Sequence, residues 1–325
     1  KGNFLSIWLS DDVPSSTTTD DDGVIQALRQ ALQQDSASRS MLALARNPYM
    51  LFMMTEVFAE NEGVLPPNRG NLFDLFTDYL LQEREGLSKE VSDALQDMLS
   101  EYAYTMQVQR MGTITGKDIA LQYLGDEGLY QAVSANLLED RGDVRFTHQL
   151  LQEYFAARRL DIERQNGLSA NELWPADDWW IPNEWNETAI LLTGLYNDDA
   201  TEIINWLADA NPELTARCIN ESGANIPDAT LLKLRQKWMP RLTNLESDSN
   251  PQSRVAIGHG LAEVTLSTGE ALDNRKGVDI VIHGDIRLPD IDWVLIPNDG
   301  EWIYQEDKHA GLPAFEISRY PITYA

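Results

Sequence analysis

The sequence predicts a mainly α-helical protein, with a winged helix and an array of helical repeats, that ends in a short β-rich segment. Apolar residues recur at helical spacing over most of the first 270 positions, in stretches separated by Pro, Asn, Asp and Gly. After residue 270, β-branched and aromatic residues alternate with turn residues. The chain has 325 residues, of which 43% are hydrophobic, so it can bury more than one core.

The charge and the cysteine content narrow the class of protein. A net charge of −27, spread along the chain, would repel a nucleic-acid backbone, so we expect no nucleic-acid partner. The single cysteine, Cys218, excludes an internal disulfide framework, and no apolar run reaches the roughly 18 residues of a membrane span. We therefore predict a cytoplasmic protein that does not contact a membrane. Because the chain opens on Lys1 and stops directly after "ISRYPITYA", we also expect it to be a piece of a longer protein.

Residues 1–60 predict a small helical domain. After the acidic linker "SDDVPSSTTTDDDG", Val24, Leu28 and Leu32 recur at helical spacing, and "SRSMLALARNPYMLFMMTEVFAE" predicts two further helices. Proline disfavours a helical conformation in the residue before it. The chain should therefore bend at Asn47 and restart as a helix at Pro48, and on local grounds Pro48 is a plain helix boundary.

Residues 61–165 predict a second domain. "NLFDLFTDYLLQERE" and "VSDALQDMLSEYAYTMQ" should form helices on one core. The following "GTITGK" superficially resembles a phosphate-binding loop, but only three residues separate its glycines and Asp118 follows the lysine. We interpret Thr115 and Asp118 as a helix N-cap box instead. "NLLEDRGDVRFTH" then predicts a β-hairpin that turns at Gly142, which gives a winged-helix-like order of elements.

The helix after this hairpin carries the first candidate for chemistry. Thr147 is a good N-cap residue, which would place His148 in the first helical turn. Unpaired backbone N–H groups and the helix dipole favour an anion there, and the dipole should keep His148 neutral near pH 7. A neutral imidazole could donate one N–H to a phosphate oxygen. The local alternative is a histidine that caps its own loop.

Residues 166–270 predict short amphipathic helices, loosely repeated as in stacked helical pairs of the HEAT type. Four tryptophans in "NELWPADDWWIPNEW" could line a recognition surface, although packing between helices is the favoured interpretation. His259, in "AIGHGL", is assigned no chemistry. Residues 271–325 predict short strands and turns.

Two resemblances sharpen these expectations. "RFTHQLLQEYFAARRL" resembles the winged-helix domain of the NACHT branch of STAND signal-transducing ATPases, and "LALARNPYMLFMM" is similar to the family's small helical domain. With "LFDLFTDYLLQERE" they span about residues 1–165 in the family's order. The resemblance implies that Pro48 borders the adenine of bound ADP and that His148 contacts its β-phosphate. It also implies that the phosphate loop and the magnesium-binding carboxylates lie upstream of Lys1, so this chain should not hydrolyse ATP unaided.

Residues 271–325 resemble the start of a formylglycine-generating-enzyme-like domain, which has a C-type-lectin-related fold. "DIDWVLIP", Gly300 and "LPAFEISRYPIT" carry the match. Trp302 stands in place of the usual Phe, Gln305 replaces a customary glycine, and one residue is added before Gly300. The same start precedes oxidising enzymes, iron-dependent sulfur-transfer enzymes and inert ligand-display domains, some of them diversified by retroelements.

Three functions follow from the sequence. The leading one is a regulatory part of a STAND ATPase that latches ADP or ATP, with Mg²⁺ held upstream, and couples the switch to a C-terminal domain that senses a protein or small ligand. Assembly into an oligomer on activation stays open. The alternative is the carrier region of a formylglycine-generating-enzyme-like enzyme or a retroelement-diversified display protein. A passive helical scaffold is the third.

Overall fold

The protein is mainly α-helical and ends in short β-strands, as the sequence predicts. The computed structural model describes residues 20–33, 41, 45–196, 198–278, 280–284, 286–297, 302–304, 307–309, 311 and 313–320. The expectations at Gly300 and Gln305 lie outside these residues. None of the described helices is long and apolar enough to cross a membrane.

The first two described helices form a small apolar layer. Helix α1 spans Asp20–Gln33 and packs on α2, Pro48–Glu60. Leu28 and Leu32 of α1 are buried, as their helical spacing predicts, and α2 buries three methionines. Side chains at i, i+3 and i+4 share one face of a helix, which is why these residues reach the same core.

The next two helices also follow their predicted apolar faces. Helix α3 spans Arg69–Asp78 and continues as a π-helical turn over Tyr79–Arg84, and α4 spans Lys89–Val108 after the N-cap Ser88. The buried positions include Leu72, Phe73, Phe76, Leu80, Leu95, Leu99, Tyr102 and Met106. The predicted helical core of this region is confirmed.

A small antiparallel sheet follows α4. Strand β1 spans Ile114–Gly116, helix α5 spans Lys117–Ser134, and β2 and β3 span Leu138–Asp140 and Asp143–Phe146. The strand order is β1-β3-β2, and Leu138 pairs with Phe146. The hairpin predicted at Gly142 is confirmed, and its φ of 102° is a conformation that glycine adopts without strain.

The predicted N-cap box at Thr115 is wrong. Thr115 lies in β1, and its buried hydroxyl is hydrogen-bonded to the Tyr102 hydroxyl of α4. Helix α5 begins at Lys117 with Gly116 as N-cap and no side-chain cap. Pairing of β1 with β3 takes Thr115 out of the helix entrance, a tertiary contact that local sequence does not reveal.

Helix α6, Gln149–Gln165, lies between α4 and the helices that follow. These are α7 (Ala170–Leu173), α8 (Asn186–Leu195), α9 (Thr201–Leu207), α10 (Pro212–Glu221), α11 (Asp228–Thr243) and α12 (Pro251–Glu263). Three of the four clustered tryptophans are buried: Trp174, Trp179 and Trp185. Their burial favours packing between helices and argues against a recognition surface. The buried residues of these helices join those of α1–α6 in one continuous core.

The C-terminal strands form three two-stranded antiparallel pairs. They are β4 (Ile280–His283) with β5 (Ile286–Pro289), β6 (Trp293–Ile296) with β9 (Phe315–Ser318), and β7 (Trp302–Tyr304) with β8 (Asp307–His309). Apolar side chains of the first two pairs are exposed, among them Trp293, Leu295 and Ile317. The strand-rich character predicted after residue 270 is confirmed.

Two glycines bring α3 against α8. A Cβ added to Gly70 would lie 2.5 Å from the carbonyl carbon of Gly194, closer than atoms can approach. Because interiors are close-packed, the two helix backbones would have to separate to admit a methyl group. This contact fixes α8 against the region that contains α3.

We expect Gly70→Ala to lower the free energy of unfolding by about 2 kcal/mol or more, because overpacking separates α3 from α8. Gly258→Ala is the matched control, since the nearest atom to its new Cβ would be Leu242 Cδ1 at 3.9 Å. Because alanine favours a helix more than glycine does, Gly258→Ala should raise the free energy of unfolding by about 1 kcal/mol or less. Urea denaturation of both variants measures the difference, and equal stability of the two would contradict the contact.

Candidate functional site

The chain bends at Asn47 and α2 starts at Pro48, as predicted. Asn47 is extended (φ −90°, ψ 124°), and its Oδ1 accepts a hydrogen bond from the Tyr49 backbone N–H at 2.9 Å. Pro48 is the first helical residue, where a missing N–H costs nothing, and its side chain is exposed. The oxygen of the Asn47 side chain therefore acts as a cap, and its NH₂ group faces the His148 ring.

His148 is the N-cap of α6, and the predicted cap at Thr147 is wrong by one residue. His148 is extended (φ −144°, ψ 140°), and its Nδ1 accepts a hydrogen bond from the Leu150 backbone N–H at 3.1 Å. The Thr147 hydroxyl instead donates to the Asn136 carbonyl at 2.9 Å, which ties it to the start of the hairpin. His148 is therefore a capping histidine through its Nδ1 atom, while its Nε2 atom faces Asn47.

The two helix starts meet although 101 positions separate them. The Nε2 atom of His148 lies 3.3 Å from the Asn47 Nδ2 atom. The Tyr49 ring stacks on the imidazole with the ring centroids 5.0 Å apart and the planes 4° from parallel. The structure therefore places His148 beside the residue that precedes Pro48, and Tyr49 fixes the plane of the imidazole.

Two N–H donors at this junction, one from His148 and one from Asn47, do not have an acceptor in each other. A neutral imidazole has one N–H and one acceptor nitrogen. If Nδ1 accepts from Leu150, the proton sits on Nε2, and Nε2–H then faces the Asn47 NH₂, a second donor. Turning the Asn47 amide over would remove the oxygen that caps Tyr49. We place the proton on Nε2 because the contact of the Leu150 N–H with Nδ1, at 3.1 Å, is shorter than the 3.3 Å contact of the Asn47 NH₂ with Nε2. Both donors can be satisfied by one shared acceptor.

Besides the predicted helix dipole, burial gives His148 a further reason to be neutral near pH 7. Burial lowers the pKa of His148 below its usual 6.5, because charging the imidazole would require solvation that the site withholds. The prediction attributed the effect to the helix dipole. Either cause leaves one N–H and no net charge on the ring near neutral pH.

Glu153 lies further along α6 and is 8% exposed. Its Oε1 accepts a hydrogen bond from Gln149 Nε2 at 2.8 Å. Burial, helped by the nearby charge of Glu187 and opposed by Gln149 and Arg69, raises the pKa of Glu153 to about 7. A buried carboxyl with a perturbed pKa is a candidate for function or a source of pH-dependent stability.

Other reactive groups have structural surroundings. Burial raises the pKa of the Cys218 thiol to about 12, so the thiolate nucleophile does not form near neutral pH. In the described part of the chain, no group of three or more His, Cys, Asp or Glu side chains could hold a metal ion. His259 is exposed, and its Nδ1 lies 3.0 Å from Glu213 Oε1.

The chain matches no protein-family model and no curated protein.

Sequence reasoning missed three residues of this region. Asn47 was predicted only as a bend, Tyr49 only as a helical residue, and Glu153 only as part of a motif. The signal available for Asn47 was its position before a first-turn proline, where Asn is a preferred N-cap. Nothing local could reveal that Asn47 and Tyr49 contact His148.

We expect Glu153→Gln to stabilise the protein increasingly as the pH rises. In the folded protein the pKa of Glu153 is about 7, against an ordinary 4.5, so the folded state binds the proton more tightly than the unfolded state does. The wild-type protein therefore loses stability as the pH rises from about 4.5 to about 7, and the variant does not. From pH 5 to 8 the variant should gain on the order of 2–3 kcal/mol over wild type. Urea denaturation across this range measures the gain. Glu127→Gln, on the exposed face of α5, should parallel wild type; a parallel Glu153→Gln profile would contradict the pKa.

Proposed function

We propose that this chain is a regulatory part of a STAND-type nucleotide switch, in which the junction of α2 and α6 holds the phosphate end of bound ADP. Pro48 borders the base in this proposal, and His148 donates Nε2–H to a phosphate oxygen. The catalytic phosphate loop and the Mg²⁺ ligands lie upstream, so the chain itself turns over no ATP.

One observation carries the proposal. Two side-chain N–H donors, from Asn47 and His148, lie 3.3 Å apart at the starts of two helices and cannot satisfy each other in the tautomer that caps α6. A phosphate oxygen accepts several hydrogen bonds and is favoured at a helix N-terminus. Neutral donors suit this role, since they remain donors at any pH above the lowered pKa of His148.

The remaining helices and strands would connect this latch to a stimulus. In the proposal, the C-terminal strands sense the ligand, which is a protein or a small molecule. The whole protein is proposed to be cytoplasmic. A ligand that binds the open state better than the closed one would shift the two populations and release ADP. Assembly into an oligomer would follow release of the latch.

The decisive variant is His148→Asn. Asparagine is a preferred N-cap, so its Oδ1 can accept the Leu150 N–H while the variant lacks the Nε2–H donor. In the full-length protein we expect ADP binding to weaken by about 1–2 kcal/mol, the scale of one hydrogen bond to a charged acceptor. Calorimetric titration with ADP measures the loss.

Two controls separate binding from folding. His148→Ala also removes the cap, and it should lower the free energy of unfolding by about 1 kcal/mol without nucleotide, whereas His148→Asn should not. His259→Asn changes an exposed histidine elsewhere and should leave ADP affinity unchanged. Wild-type ADP affinity in His148→Asn would sink the proposed latch.

A further inference from the structure

A cavity lies beside the first two turns of α6. It measures about 340 Å³ and lies between the end of α4 with the loop after it, the first two turns of α6, and Glu184 in the loop before α8. Gln107, Gly112, Gln152 and Glu153 line it. A volume of this order is at the lower end of the range for small-molecule sites.

Glu153 brings an unpaired carboxyl group to this cavity. It is 8% exposed, and Gln149 Nε2 donates the hydrogen bond found on its Oε1. No basic side chain of the described residues forms an ion pair with it; the nearest cationic influence comes from Arg69, which is bound to Glu187. An ionised carboxylate is expensive to bury without a positive partner.

Gln152 adds a second acceptor. The side chain is 7% exposed, and its Nε2 donates to the Gly112 carbonyl at 3.1 Å. That bond fixes the amide orientation, because the reversed amide would set Oε1 against the carbonyl oxygen of Gly112. Within the described part of the chain, the buried Oε1 has no hydrogen-bond donor. A buried acceptor without a donor costs about 1–3 kcal/mol.

The rim does not supply the missing positive charge. Arg110 is the one basic residue among those lining the cavity, and it is already paired with Glu184 at 3.2 Å. Its side chain is 84% exposed, so it points its charge toward solvent. The lining therefore has two carboxyl groups, Glu153 and Glu184, against one guanidinium group, Arg110, and that guanidinium is paired with Glu184.

We propose that this cavity binds a small organic cation with N–H donors, such as a guanidinium or primary ammonium compound, through Glu153 and Gln152. The cation supplies the charge that Glu153 lacks, and a small shift of the Gln152 side chain on binding would bring its buried Oε1 to a donor of the cation. This site is separate from the donors of Asn47 and His148, and it does not depend on nucleotide binding.

The probe is agmatine, which carries a guanidinium and an ammonium group, titrated calorimetrically into the 325-residue chain at pH 8 and 150 mM salt. This ionic strength screens exposed charges beyond about 8 Å, so the general attraction of an acidic chain is suppressed. We expect saturable binding that weakens at least tenfold in Glu153→Gln. Tetramethylammonium, a cation without N–H donors, should not bind, and Glu127→Gln should bind agmatine as wild type does.

A pH series adds a readout that simple charge attraction would not give. The charged groups around Glu153 are Arg69 of α3, Glu187 of α8, and the Arg110–Glu184 pair at the rim. Because the pKa of Glu153 is about 7, the fraction of Glu153 that is ionised increases roughly tenfold from pH 6 to pH 8. The affinity for agmatine should rise in the same proportion. The Glu153→Gln variant should show no such rise.

The outcomes divide cleanly. Selective agmatine binding that requires Glu153 and rises with pH supports the site. Absence of binding, equal affinity in Glu153→Gln, or equal binding of tetramethylammonium overturns it. Because Glu153→Gln is expected to be at least as stable as wild type at pH 8, its lost binding would not reflect unfolding.

Discussion

The burial of α6 is the constraint on which the rest of the helical structure depends. Leu151, Tyr154, Phe155 and Leu160 are inaccessible to solvent, and the small side chains Ala156 and Ala157 are equally buried. The helix packs against α4 on one side and α8 on another. A helix held on several faces cannot shift without disturbing the whole core, so the groups at its start keep fixed positions.

That rigidity has a cost, because α6 carries polar groups into the interior. Tyr154 solves the problem internally: its hydroxyl donates to Asp74, which also pairs with Arg158. Gln152 and Glu153 are less completely satisfied, with one amide oxygen unpartnered in the described structure and one carboxyl whose pKa is raised. Buried polar groups that remain incompletely paired are where a fold either loses stability or binds something.

Local sequence pattern predicted the helices, the hairpin and the bend at Asn47, because each depends on residues a few positions apart. It failed where a distant contact decides between neighbours. Thr147 is as good a cap as any, yet its hydroxyl is bonded to Asn136, so the helix begins one residue later with His148 as cap. The meeting of Asn47 with His148 joins positions 101 apart, a tertiary contact between two helix starts that no local pattern reveals.

The acidity of the chain bears on how it could hold an anion at all. Arg69, Arg158 and Arg217 are each paired with carboxylates, so their charge is compensated locally by the protein itself. Coulomb attraction at a distance would be weak, since salt screens it and the net charge of −27 opposes it. Short-range donors avoid this difficulty, because a hydrogen bond acts at contact. The neutral imidazole at the start of α6 and the Asn47 amide at the start of α2 are therefore better suited to a phosphate oxygen on this protein than an arginine that its acidic neighbours would capture.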